Sequence, residues 1–166
     1  MAIGDYPTYN DVAPSWSDID TVLNISGGVS LKDIDYKGIK CNSTVAVGEQ
    51  RGASGGRVIK RTTGAKTDTA SASYYRSGLQ KLFKALVAVA PKDKQGRPQI
   101  SLVTFDVVAN HTPPTSTEIY TVVIRGCRLI KTDASFAEGN EADVVELDLH
   151  PMEVVWMVDG KEVVLL

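Results

Sequence analysis

Apolar and polar residues alternate along most of this chain, and in one place the spacing lengthens to that of a helix. Tyr75, Leu79, Leu82, Phe83, Leu86 and Val89 with Ala90 keep a 3.6-residue period, while Arg76, Gln80, Lys81 and Lys84 fall on other faces. The spacing predicts an amphipathic helix, with Ser73 as its N-cap and Pro91 as its stop. A polar turn, Lys92 to Pro98, follows. Before the helix, Val29, Leu31, Ile34 and Tyr36 read as a strand with one register break, and Val45 and Val47 alternate. After it the period is two. Val103, Phe105 and Val107 share a face within 101–109, as do Tyr120, Val122 and Ile124 within 119–130. In 144–149, Val145, Leu147 and Leu149 oppose Glu146, Asp148 and the following His150. The chain closes with Val154–Val158, Asp159-Gly160 and Lys161–Leu166, where Asp-Gly between two apolar runs signals a tight hairpin. The expected fold is mainly β with one α-helix packed against it.

Two stretches break the pattern. Residues 1–17 hold Pro7, Pro14, two tyrosines and few aliphatics, so they read as an N-terminal arm ahead of a single β domain at 18–166, with Trp16 anchoring its end. Residues 48–66, "GEQRGASGGRVIKRTTGAK", crowd glycines and cations together. The segment reads as a long Gly-rich, basic loop, with Arg57–Arg61 able to pair as one arm of a hairpin whose tip lies near 52–56. Loops of this length inside a domain are usually functional.

A phosphate cradle needs Gly-Lys-Ser/Thr leading into a helix, so that backbone N–H groups point at the anion. Here the glycines run into the strand-like Arg57-Val-Ile-Lys, and a nucleotide site is not expected. His111 and His150 lack metal-ligand spacing, and read as residues of a Pro-rich turn and of a strand end. Cys41 and Cys127 are expected to be free, partly buried thiols. No catalytic residue, metal or cofactor is predicted. Net charge is −2, which argues against a dedicated nucleic-acid surface. Its distribution is uneven. Arg51, Arg57, Lys60, Arg61 and Lys66 face Glu49 alone in the loop, whereas from Asp133 onward nine carboxylates face one lysine. A basic loop and an acidic flank suit contacts between copies of one chain. The first residues carry no cation ahead of an apolar run, so no secretory signal is expected, and no apolar run approaches membrane-spanning length.

The stretches "GGVSLKDIDYKGI", "RGASGGRVIKRTTG", "ASYYRSGLQKLFKAL", "VIRGCRLIKTDASFAEGNEADVVELDLHP" and "VVWMVDGKEVV" follow one another in an order that resembles the tail tube proteins of contractile-tailed bacteriophages. These are related to the tubes of phage-like bacteriocins and of type six secretion. The resemblance implies an antiparallel β-sandwich or barrel with a flanking helix and no enzymatic activity. It implies a structural virion protein that forms homo-hexameric rings, stacked into the inner tail tube through which DNA is ejected without specific binding. It further implies subunits made in the host cytoplasm, no membrane anchor, and sheath, tape-measure and baseplate or terminator proteins as partners. By the same analogy 48–66 reaches the adjacent ring through Arg51, Arg57, Lys60 and Arg61, and the arm with Trp16 lies on a neighbour. Glu146 and Asp148, on the polar side of an alternating strand, are the candidate lumen residues. Alternatives are the tube of a bacteriocin or secretion machine, or a β-sandwich ligand-binding module. An aromatic content of 7% counts against a sugar-stacking surface.

Overall fold

The computed structural model describes residues 19–26, 29–32, 36–53, 56–111, 119–134, 144–158 and 160–164. The N-terminal arm, with Trp16, lies outside these residues. Among the described residues, nine strands and one α-helix follow in the order β1 (Ile19–Ile25), β2 (Val29–Lys32), β3 (Tyr36–Arg51), β4 (Val58–Tyr75), α1 (Arg76–Val89), β5 (Phe105–His111), β6 (Tyr120–Ala134), β7 (Val144–His150), β8 (Glu153–Val158) and β9 (Lys161–Val163). All ladders between these strands are antiparallel. The sheet path runs β2-β1-β5-β6-β7-β4-β3, with β8 and β9 branching from β6. Among the described residues the path stays open, and the sheets form an antiparallel sandwich.

The branch arises because β6 serves two sheets. Its first part, Thr121–Arg125, pairs with β8, and its second, Arg128–Ala134, pairs with β7. The turn between sheets falls at Gly126, whose φ of +62° lies in the left-handed region that side chains disfavour. A Cβ there would sit 2.7 Å from the Cγ and Sδ of Met152. The Asp106 carboxylate accepts the Gly126 N–H at 2.7 Å, and Met152 N–H donates to the Arg125 carbonyl at 2.9 Å. The corner is thus hydrogen-bonded on both sides of the bend.

The core fills the space between the sheets. Leu23, Phe105, Val107, Ile124 and Val154 come from one sheet, and Ala72, Tyr74, Leu129, Leu147 and Leu149 from the other. Leu82 and Leu86 bring in α1, and both are fully buried. The predicted apolar stripe of the helix therefore holds. Its start does not. Tyr75 is the N-cap, no side chain caps the helix, and Ser73 lies within β4 opposite Glu146. The strand expected over 101–109 begins instead as a single 3-10 turn at Ile100–Leu102, with Phe105 opening β5. The polar turn after α1 is held by Asp93, which accepts the N–H groups of Gln95 and Arg97 and pairs with the Arg97 guanidinium at 2.9 Å. The closing hairpin is present. Val158 pairs with Lys161, and Gly160 has a φ of +72°.

One core group lacks a partner. The Tyr74 hydroxyl is buried without a hydrogen bond among the described residues. Burial, with Cys127 and Tyr36 nearby, pushes its pKa far up. Replacing Tyr74 with Phe is expected to raise unfolding free energy by about 1 kcal/mol, since the hydroxyl's desolvation is unrewarded. Urea titration checks this. A loss of stability would reveal a partner for the hydroxyl.

Candidate assembly surfaces

The segment read as a loop is a β-ribbon. β3 and β4 run 16 and 18 residues, paired from Tyr36–Tyr74 out to Arg51–Val58, and Gly52 N–H donates to the Arg57 carbonyl to close the tip. Only Ala70–Tyr75 of β4 also pairs with β7. The outer part of the ribbon has two strands and is exposed on both sides. An isolated two-stranded ribbon is marginally stable in water, yet this one presents Val47 at 59% and Ile59 at 64% exposure. Among its cations, Arg51 and Arg61 turn inward on Glu49, at 3.2 and 3.8 Å. Lys60 stands opposite Gln50 and Arg57 lies at the tip; both are exposed. The ribbon is therefore apolar as well as basic. The valine–isoleucine pair inside Arg57-Val-Ile-Lys60 was the signal for this, masked by the surrounding charge.

The base of the ribbon is fastened by Asp68, a residue the periodicity does not single out. Its side chain is 5% exposed and accepts from Ser43 Oγ at 2.6 Å, from Val154 N–H at 3.0 Å and from the Lys66 ammonium at 3.0 Å. Burial alone would raise its pKa. The hydrogen bonds from Ser43, Lys66 and Val154, with the Lys66 charge, outweigh that and hold it below the usual carboxylate value. Asp68 thus links β3, β4 and β8.

Glu146 and Asp148 are exposed on β7, with Val145, Leu147 and Leu149 buried on its other side. Their face continues across the sheet. Asp148 lies opposite Ser71 on one side and Lys131 on the other, Ser71 opposite Lys40, and Arg128 opposite His150. This surface carries both signs among hydroxyl groups, so the acidic strand sits within a mixed wall. A shallow depression of about 210 Å³ lies over Ser71 between Lys40 and Asp148, and one of about 350 Å³ over Ser71 and Ser73 between Lys40 and Glu146. The outer edge of β3 has no pairing partner among the described residues.

Neither cysteine is prepared as a nucleophile. Cys41 and Cys127 are free thiols. Burial, then the Asp68 carboxylate, raises the first, and burial, then Asp106, pushes the second up to about 12. His111 is the last residue of β5, stacked on Tyr120 at 6.3 Å, and not part of a turn; the ladder with β1 and β6 holds it there. His150 does end its strand. Among the described residues no three His, Cys, Asp or Glu side chains gather as a metal site, and no helix is long and apolar enough to cross a membrane.

No family model and no curated protein matches the chain by sequence. Solved structures match its fold. A chain in the sixfold-symmetrised baseplate of the anti-feeding prophage aligns with a TM-score of 0.61 at 10% identity, covering 93% of this chain and 99% of that one. A chain of the sheath–tube complex of PVC, an extracellular contractile injection system in its extended state, aligns at 0.56 and 16% identity over 83% of this chain and 88% of that one. The SPP1 tail tube aligns at 0.53 and 14% identity, over 89% and 82%. The antiparallel sandwich with one flanking helix is thus the fold found in tail-tube and contractile-injection assemblies.

Proposed function

We propose that this chain is a structural subunit that closes into rings and stacks them into the inner tube of a contractile tail. The observation that carries this reading is the β3–β4 ribbon, which leaves its own domain with Val47, Val58 and Ile59 exposed, together with Arg57 at its tip and Lys60 beside it. A ribbon of this kind gains cover from contact with another molecule. A heterologous contact repeated between copies generates rings where it closes and filaments where it does not. The sixfold baseplate that holds a similar chain supports six subunits per ring. The sheath–tube complex supports a sheath as the outer partner, and tape-measure and terminator proteins complete the set expected of a tail.

In this reading the cargo is the viral genome, the particle is a virion, and the β3–β4–β7–β6 face with Glu146 and Asp148 lines the channel. Cation-rich walls would bind phosphates by counterion release and slow the duplex. Glu146 and Asp148, interleaved with Lys40, Arg128 and Lys131, offset two of these three cations and so limit the wall's grip on the duplex. A second reading, an injection device that carries no genome, is favoured by the extracellular contractile injection system among the matches. Light scattering coupled to size exclusion tests the shared core of both. A species six times the monomer mass, growing into longer polymers with concentration, is expected. A lone monomer at all concentrations would overturn the proposal. Nuclease-resistant DNA in purified particles would separate virion from injection device.

A further inference from the structure

The apolar face of the β1–β5–β6–β8–β9 sheet runs past the end of its own core. Its inner row, Leu23, Val107, Ile124 and Val154, is buried and in register across four strands. One row outward, Ala109, Val122, Trp156 and Val163 are paired in sequence across the sheet. Alternation keeps them on the same face. There Trp156 is 46% exposed and Val163 nearly half. In the last row Tyr120 and Val158 are more than half exposed, with His111 stacked on Tyr120. Two aromatic and two aliphatic side chains, each about half exposed, thus form one patch with Val122 at its base. A contiguous surface of this kind, with an indole at its centre, is the composition of a contact site and not of a solvated sheet face.

We propose that the patch is covered in the free subunit by the N-terminal arm of the same molecule. The chain arrives at the right place. Residue 18 precedes Ile19, which pairs with His111 in the outermost row of the overhang. The width from β1 to β9 is four strand spacings, about 20 Å, and eighteen extended residues reach about 60 Å. A third of the arm therefore suffices to cross the patch. Its residues fit the surface. Tyr6, Tyr9, Val12 and Trp16 are apolar or aromatic, and Pro7 and Pro14 limit the arm's ability to continue as a paired strand. The arm carries Asp5 and Asp11 and no Lys or Arg, while Lys161 stands at the patch rim opposite Val158. Tethering at the rim gives the arm an effective concentration of about millimolar, above that of a second copy in dilute solution. This inference stands on the patch and on the point of chain entry, independently of tube formation.

The two tryptophans make the test direct. In a Trp16→Phe variant Trp156 is the only indole, and its acrylamide quenching is measured with the arm present and with the chain begun at Asp18. Removing the arm is expected to increase quenching about twofold and shift emission to the red, as an indole moves from packed to wet surroundings. Shielding in the full chain should persist through a roughly hundredfold dilution, as an intramolecular contact requires. Should the shortened chain not fold, the full-length Trp156→Phe variant reports from the other side, and Trp16 is expected to be shielded. Equal quenching of Trp156 with and without the arm, or a fully exposed Trp16, would overturn the proposal. Shielding lost on dilution would overturn it too, by showing that a second copy covers the patch.

Discussion

Reversing Arg57 to Glu together with Ile59→Asp is expected to abolish polymerisation while leaving the domain folded. Both residues are exposed on the outer ribbon, beyond the last β4–β7 pair, so the free subunit loses no core contact. In an assembled contact, covering Ile59 contributes about 1.5–3 kcal/mol, and an exposed ion pair at Arg57 adds about 0–1 kcal/mol. Losing both weakens each contact by about 10- to 1,000-fold, and a polymer repeats the loss at every subunit. Arg61 is the weaker target, because it faces Glu49 within the ribbon. Sedimentation velocity should find monomers, with a melting temperature equal to that of the parent. Polymers in undiminished yield would show that the ribbon is not an assembly contact.

The second large effect concerns Asp68. Asp68→Asn keeps the shape but removes the charge that faces Lys66, and it places an amide among three donors. Breaking a buried pair costs about 3–5 kcal/mol, and the 22% exposure of Lys66 reduces this to about 2–4 kcal/mol. The sign with pH follows from its depressed pKa. The folded domain holds the ionised form more tightly than the unfolded chain does. The stabilisation is therefore fully present above the unfolded value near 4 and fades as pH falls through the lower folded value. Denaturant titrations at neutral and acidic pH should show parent and variant converging in stability below about pH 4. A gap that stays constant would assign the loss to geometry and not to charge.

Much of the fold is legible from spacing alone. The period of 3.6 across Leu79, Leu82 and Leu86 finds the helix because all three pack on one core. The period of two in Val145, Leu147 and Leu149 finds β7 because one of its faces is buried. Asp159-Gly160 finds the closing turn through backbone chemistry. Features that depend on distant partners stay hidden. Ser73 looks like a cap, but β7 recruits it into a ladder, and tertiary pairing overrides the local signal. Leu102 looks like strand, yet the chain turns once there to enter β5. The bend at Gly126 depends on Met152 and Asp106, neither close in sequence. For the candidate surfaces, the sequence locates the cations and carboxylates but not their neighbours. Glu49 meets Arg61, and Lys131 stands beside Asp148, because registers bring them together. Asp68, whose three partners span residues 43 to 154, carries no local mark at all.

Electron microscopy of the purified protein shows whether copies of this chain build a hollow tube. Rings with an open centre are expected at low concentration and stacked tubes of constant width at high concentration. In averaged images the β3–β4 ribbon should cross between successive rings, with Glu146 and Asp148 facing the channel. Uniform single particles of monomer size at every concentration would contradict tube assembly.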